Sequence, residues 1–153
     1  MGNICRSPTA HAVMQHKVEQ LGLVNSIEID SAGTHAYHIG EKSDSRSRAL
    51  AKRKGVDMEH IRARKVSVLD YDTFDYILAM DEDNLELLRY YAPDNYTAQV
   101  TLFLDFAINN GSVNETIVPD PYYGGDQGFE HVFALVDKGC DALIAHISKT
   151  SQQ

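Results

Sequence analysis

The run Phe74-Asp-Tyr-Ile-Leu-Ala-Met80 is mostly apolar, which is typical of a β-strand buried on both faces. Strands of this kind occur almost only in parallel sheets that are covered by helices. The run ends at Asp81, and a short helix is expected from Asn84 to Tyr91. We therefore predict an α/β fold of three layers, in which a mostly parallel central sheet is flanked by helices.

The remaining elements are read from periodicity and from turn residues. A first helix is predicted with Ser7 as its N-cap and Pro8 at its first position. Ser is a favourable N-cap residue, and Pro is tolerated at the first position because an N–H there would have no partner within the helix. Its apolar spacing ends near Gly22. The other predicted elements are a strand over Ser26–Asp30, a helix over Ser43–Lys54, a strand over Gln99–Phe103, and a long helix with apolar positions from Phe129 to Ile144.

Composition places the chain among ordinary globular domains. Its 153 residues predict a single domain over 1–153, with 43% hydrophobic and 24% charged residues. The formal net charge of −8 disfavours nucleic acid and anionic membranes as partners, and no apolar run approaches the roughly 18 residues of a spanning helix. Two cysteines, Cys5 and Cys140, do not make a disulfide framework, so we expect a reducing, cytoplasmic setting.

The first eight residues, Met-Gly-Asn-Ile-Cys-Arg-Ser-Pro, have the chemistry of a phosphate-binding loop. Gly2 and Asn3 tolerate the positive φ of a tight loop, and Arg6 presents a planar fork that matches phosphate oxygens. The following helix adds unpaired N–H groups and the positive end of its dipole. The alternative interpretation, an irregular start before a well-capped helix, fits the loop residues equally well.

A second candidate is Asp120, which lies between two prolines in Pro119-Asp-Pro-Tyr-Tyr-Gly-Gly125. Prolines hold such a residue in an extended loop, where a general acid can be positioned. Tyr122 and Tyr123 could form the wall of an aromatic slot, although a turn with packed tyrosines explains the segment as well. The seven histidines show no paired metal-binding spacing, so we predict no metal site and no cofactor.

Together these segments resemble the low-molecular-weight protein tyrosine phosphatases over essentially the whole chain. Five blocks in the same order carry the resemblance: Gly2-Asn-Ile-Cys-Arg-Ser-Pro8, Ser31-Ala-Gly-Thr34, Tyr37-His-Ile-Gly40, Phe74-Asp-Tyr-Ile-Leu-Ala-Met-Asp81 and Asp120-Pro-Tyr-Tyr-Gly124. The resemblance implies two-step phosphoryl transfer from a phosphotyrosine protein, with inorganic phosphate as product. In the family, a cysteine thiolate at the first position of C-x5-R attacks phosphorus.

The resemblance also implies roles for individual residues. Arg6 looks like the arginine of that motif, and Asp120 looks like the general acid and base, so these two are the catalytic candidates. The phosphate cradle would be Gly2, Asn3, Ile4, Cys5, Arg6 and Ser7. The residues expected to support the loop are Asn3, Ser7, Ser31, His60 and Asp81. The aromatic rim expected to hold a phosphotyrosine ring is Tyr37, Tyr122 and Tyr123.

One position departs from the family pattern. Counting back from Arg6, the nucleophile would immediately precede Met1, and Cys5 matches the second cysteine of the family loop instead. The family's first strand, central in a sheet of four, would also precede Met1. We therefore expect negligible turnover from these 153 residues, and either closure of the neighbouring strands or a homodimer that covers the gap.

Three interpretations remain open. A start assigned too late would make the chain part of a complete phosphatase. A genuinely shorter chain would instead be a phosphate- or phosphotyrosine-binding module without turnover. The arsenate reductases that share this fold need a relay of further cysteines, for which only Cys140 is present, so this third interpretation is the least favoured.

Overall fold

The structure is a computed structural model that describes residues 5–151, with the backbone alone at positions 123 and 151. Its elements are α1 (Arg6–Gln20), α2 (Ser45–Arg53), α3 (Asp70–Thr73), β1 (Tyr76–Ala79), α4 (Glu82–Tyr91), β2 (Gln99–Leu102), α5 (Asp105–Asn109), a 3-10 turn (Pro121–Tyr123) and α6 (Gly125–Ser151). The apolar run therefore becomes β1, and the predicted long C-terminal helix becomes α6.

Strands β1 and β2 are parallel neighbours, with Tyr76 opposite Gln99 and Ala79 opposite Leu102. Helix α4 connects them, as parallel strands require a crossover rather than a tight turn. Within residues 5–151 the sheet consists of these two strands. The predicted class, an α/β fold with a parallel sheet flanked by helices, is confirmed.

The predicted strand over Ser26–Asp30 is wrong, because this segment has no regular secondary structure. Its alternation is nevertheless present in the burial of the side chains. Ile27 and Ile29 are half-buried against the core, whereas Glu28 and Asp30 are exposed. A strand also needs a hydrogen-bonded neighbour, and no described residue forms a ladder with this segment. Alternation predicted which side chains turn inward, but not the pairing.

Helix α1 begins at Arg6, two residues before the predicted first helical position, Pro8. Its cap residue is Cys5, which makes no side-chain capping bond, and Ser7 lies inside the first turn. The Thr9 hydroxyl donates to the Cys5 carbonyl at 2.7 Å. Pro8 remains in the first turn, where a missing N–H costs little. Arg6, rather than Pro8, is therefore the first residue of the helix.

The core lies between α1, α6 and the sheet. The side chains with no measurable exposure include Val18, Leu104, Val136 and Cys140. Burying each aliphatic side chain of this size contributes about 1.5–3 kcal/mol relative to leaving it in water. At the edge of this contact, Lys17 on α1 bridges Asp137 at 2.8 Å and Asp141 at 2.9 Å on α6. Helix α1 is therefore a fixed element, and so is the side chain that begins it.

Candidate active site

The side chain of Arg6 is buried at the N-terminus of α1 and is held by two distant parts of the chain. Its Nη1 donates to Asp81 Oδ2 at 2.6 Å and to the carbonyl of Val118 at 2.9 Å. Asp81 lies two residues after the end of β1 and caps α4 by accepting the N–H of Asn84 at 2.8 Å. The guanidinium therefore has a fixed position beside the free N–H groups of a helix, which is the arrangement that binds oxyanions.

Asp81 stays ionised in this arrangement. Burial alone would raise the pKa of its carboxyl, but the hydrogen bonds from the Asn84 N–H and from Arg6 hold the pKa below its usual value. The charge on Arg6 thus has a permanent partner near neutral pH, which offsets the cost of burying it.

Asp120 is extended, with φ −73° and ψ 117°, as the flanking prolines predicted. Its side chain is exposed and accepts the backbone N–H of Tyr122 at 3.0 Å. It borders the same cleft as Cys5 and Arg6. A carboxyl at this place has access both to solvent and to a group held at Arg6, as a general acid and base requires.

Cys5 is half-buried and carries a neutral thiol. Burial, followed by the charges of Asp44 and Asp120, raises the pKa of its thiol to about 11, against a smaller opposing effect of a hydrogen bond with Ser47. Because the thiolate is the nucleophilic form of cysteine, this environment is unsuited to nucleophilic attack. The other thiol, Cys140, is fully enclosed in the core.

Two of the three predicted rim tyrosines have described side chains, and both border the cleft. Tyr37 is 72% exposed and stacks on His35 with ring centroids 5.3 Å apart. Tyr122 is 62% exposed and lies under the guanidinium of Arg46. The side chain of Tyr123 lies outside the described residues. Two exposed aromatic faces at one cleft are what a phenyl ring could pack against.

The predicted loop-supporting residues are only partly brought together. Ser31 is buried, borders the cleft and hydrogen-bonds to Nδ1 of His11 at 2.9 Å. His60 packs edge-on against His11, and its Nδ1 is 3.8 Å from Asp57, so its contacts do not run to Arg6. Ser7 is half-buried beside the cleft. The supporting roles of these residues stay predictions, and Gly2, Asn3 and Ile4 lie outside the described residues.

A cleft of about 850 Å³ joins these residues to the edge of the sheet. One wall is the irregular segment with Ile27 and Ile29, and the other is β1. The carbonyls of Asp75 and Ala79 accept N–H groups of the segment that contains β2. By the alternation of a parallel ladder, the backbone groups of Tyr76 and Leu78 therefore point away from β2 and into the cleft.

Sequence reasoning missed several residues at this site. Asp44, the N-cap of α2, was detectable from its position before a helical segment. Arg46 and Ser47 were not detectable, because their contacts with Tyr122 and Cys5 cross between distant elements.

Among residues 5–151, no group of three or more His, Cys, Asp or Glu is arranged to hold a metal ion. No helix in the described part of the chain has the length and apolar character needed to cross a membrane.

The amino-acid sequence is similar to those of known phosphatases along most of its length. The family model "Low molecular weight phosphotyrosine protein phosphatase" matches residues 1–153. The Saccharomyces cerevisiae low molecular weight phosphotyrosine protein phosphatase is 42% identical over 137 residues, which are 89% of this chain and 84% of that protein. The Bacillus subtilis low molecular weight protein-tyrosine-phosphatase YfkJ is 39% identical over 152 residues, covering 99% and 94% of the two chains.

A solved structure agrees with the fold. The Entamoeba histolytica protein tyrosine phosphatase with Hepes in its active site superposes with a TM-score of 0.90 at 39% identity, and covers 99% of this chain and 94% of that chain. Sequence and fold therefore point to one group of proteins along the whole chain.

Proposed function

Because this chain belongs to the low molecular weight phosphotyrosine protein phosphatase family, we propose that its site hydrolyses phosphotyrosine in proteins through a cysteinyl-phosphate intermediate. The observation that carries the proposal is the buried Arg6 at the start of α1, fixed by Asp81 and sharing one cleft with Asp120 and Tyr122.

In the proposed reaction, Arg6 and the N-terminal amides of α1 bind the phosphoryl oxygens. The thiolate of the cysteine that begins the family's C-x5-R motif forms a sulfur–phosphorus bond while the bond from phosphorus to the tyrosine oxygen breaks. Asp120 donates its proton to that oxygen. Asp120 then takes a proton from water, whose oxygen attacks phosphorus. The sulfur–phosphorus bond breaks, and inorganic phosphate leaves.

The proposal also includes the position of the nucleophilic cysteine. The resemblance places it immediately before Met1, and the neutral thiol of Cys5 is a poor substitute. We propose that a strand leading to this cysteine occupies the cleft between Ile29 and Leu78. A polypeptide of residues 1–153 alone then binds phosphate but has negligible turnover.

The experiment compares two polypeptides. The first has residues 1–153, and the second carries ahead of Met1 an apolar, β-branched segment of about six residues, the usual strand length, that ends in cysteine. We expect the second to hydrolyse para-nitrophenyl phosphate and the first to show negligible hydrolysis. Changing the added cysteine to serine should abolish the activity, whereas Cys5→Ser should retain most of it. Equal turnover by both polypeptides would contradict the assignment of the nucleophile.

The second candidate function is a phosphotyrosine-binding module without turnover, which the fixed position of Arg6 favours. Calorimetric titration of residues 1–153 with phosphotyrosine tests it. We expect Arg6→Ala to abolish binding and Asp120→Ala to change it little. Equal loss in both variants would argue against this function, as would the absence of binding in the unmodified polypeptide.

We also propose a reducing, cytoplasmic setting, which the two free thiols support. For a polypeptide of residues 1–153 alone, without the added strand, we propose a homodimer across the edge of β1 that no strand within residues 5–151 covers.

A further inference from the structure

We propose that Arg46 is a positioning residue that holds the ring of Tyr122 as a wall of the phosphotyrosine slot. The inference rests on the proposed function, because it assigns a role in recognising the aromatic part of that substrate. Arg46 belongs to none of the sequence blocks that pointed to the site, and only the structure brings it there.

Arg46 lies against two aromatic rings. Its Cζ is 5.2 Å from the centroid of Tyr122 and 4.5 Å from that of Phe129, both within the range of cation–π contact. Phe129 is 5% exposed and belongs to the first turns of α6, so it offers a fixed face. Tyr122 belongs to the 3-10 turn and is largely exposed. The guanidinium thus connects an exposed ring to a buried one.

The guanidinium is itself held from the other side by Asp44. Its Nε donates to Asp44 Oδ1 at 3.3 Å and its Nη2 to Oδ2 at 3.1 Å. Asp44 also caps α2 by accepting the backbone N–H of Arg46 at 2.8 Å. A planar group fixed along one edge by a carboxylate keeps its faces free for stacking, which an ammonium group does not do.

The position of Tyr122 matters for two reasons. Its ring borders the cleft that contains Arg6, and its backbone N–H is bound to the carboxylate of Asp120. Holding the ring therefore also restrains the segment that carries the proposed acid. Without Arg46, we expect the ring to be held less firmly, and a bound aryl group would then have to order it further.

A role in holding the ring differs from a role as a charge near the anion site. Burial raises the pKa of the Cys5 thiol and the positive charge of Arg46 opposes this rise, so the electrostatic effect of Arg46 reaches the anion site. Removing this charge could therefore weaken phosphate binding in general. A positioning role instead affects ligands that carry an aromatic ring and spares inorganic phosphate. The ratio of the two affinities separates these roles.

The first test measures phosphate and phenylphosphonate binding to residues 1–153 by calorimetry. We expect Arg46→Ala to weaken phenylphosphonate binding about three- to five-fold, the size of an exposed cation–π contact, and phosphate binding less than about two-fold. Arg46→Lys keeps the charge and should weaken phenylphosphonate binding in the same direction. Arg53→Ala, an exposed arginine in the last turn of α2, is the control and should change neither affinity. Equal weakening of both ligands by Arg46→Ala would overturn the proposal.

The second test needs no ligand. The chain has no tryptophan, so Tyr122→Trp introduces at the wall a single tryptophan reporter, whose emission can be excited selectively over that of the tyrosines. We expect Arg46→Ala in this background to red-shift the emission and to increase quenching by acrylamide, while Arg53→Ala leaves both unchanged. Unchanged emission and quenching with Arg46→Ala would overturn the positioning role. If the unmodified chain binds neither phosphate nor phenylphosphonate, the proposed anion site fails, and the reporter still decides the role of Arg46.

Discussion

Asp120, the proposed general acid, is positioned by its immediate neighbours in the chain. The prolines on both sides keep its backbone extended, and its carboxylate is oriented by the N–H of Tyr122. The carboxylate of Asp120 is therefore held by short-range contacts, whereas the guanidinium of Arg6 is held by Asp81, 75 residues away. The local sequence could predict how Asp120 is held. It could not predict that Asp81 is the partner of Arg6, and only the resemblance suggested that Asp81 lies near the loop.

Asp120→Asn removes the proposed proton donor without removing the side-chain oxygen that accepts the Tyr122 N–H. In the polypeptide extended by the added cysteine, we expect hydrolysis of phenyl phosphate to fall about 10²–10⁴-fold, the usual contribution of general acid catalysis. The loss should be smaller for para-nitrophenyl phosphate, because its leaving group needs less protonation. Steady-state kinetics on both substrates measure this difference. Equal losses would contradict the role of Asp120 as the acid.

His11 predicts how stability depends on pH. Burial lowers the pKa of its imidazole, the nearby His60 and Arg64 lower it further, and Asp30 opposes them. The unfolded chain, with a histidine pKa of about 6.5, therefore binds more protons than the folded chain just below that pH. Stability rises with pH where the unfolded state binds more protons, so it is complete above about pH 6.5 and is lost as pH falls toward the folded pKa.

We expect His11→Gln to reduce the loss of unfolding free energy between pH 7.5 and 5 in urea denaturation. His16→Gln, on the same helix, is the control and should leave the pH dependence as it is. Equal pH dependence in the unmodified chain and in His11→Gln would show that His11 does not titrate in this way.

At the level of elements, α6 links the core to the site. Its first turns supply Phe129, which contacts Arg46, and its middle packs against the segment after β2. At Gly139 this contact is very close, since a Cβ there would lie 2.4 Å from Cε1 and 2.7 Å from Cζ of Phe103. Glycine at this position allows the helix to approach the ring, despite its cost of about 1 kcal/mol in helix propensity.

Gly139→Ala should therefore destabilise the fold by about 1–3 kcal/mol, the usual cost of overpacking, in spite of the gain in helix propensity. Phe103→Leu removes the ring atoms that clash. We expect the double variant to be more stable than the sum of the two single effects, as a double-mutant cycle in urea would measure. Additive effects would mean that Phe103 is not the cause of the destabilisation.

Elements with a strong pattern were predictable, and those defined by a neighbour were not. The apolar run around Ile77 predicted β1, and Gly22, with its φ of +70°, correctly marked the end of α1. Helices α3 and α5 have four and five residues, too few for periodicity to show. The pattern of Ile27 and Ile29 could not reveal whether another strand lies beside them. The role of Arg46 could not be predicted either, because its contacts with Tyr122 and Phe129 depend on elements that are distant in sequence.

At the scale of the molecule, the cleft contains an edge of β1 that is paired with no other strand among residues 5–151. Backbone groups of Tyr76 and Leu78 point into it, and half-buried apolar side chains line both walls. Free edges of this kind pair readily with other chains. The formal net charge of −8 acts in the opposite direction, because copies of the chain repel one another at low salt.

We therefore expect the polypeptide of residues 1–153 to self-associate through this edge, and more strongly when salt screens its charge. Sedimentation velocity should show a weight-average coefficient that rises with protein concentration and with ionic strength. Ile29→Lys puts a charge on the cleft wall and should reduce the association, as charged edge residues do in natural sheets. Glu28→Lys is the control, since its side chain is exposed and the substitution lowers the net negative charge without charging the apolar wall. A monomer at every concentration and salt level would contradict the prediction, and so would equal effects of the two substitutions.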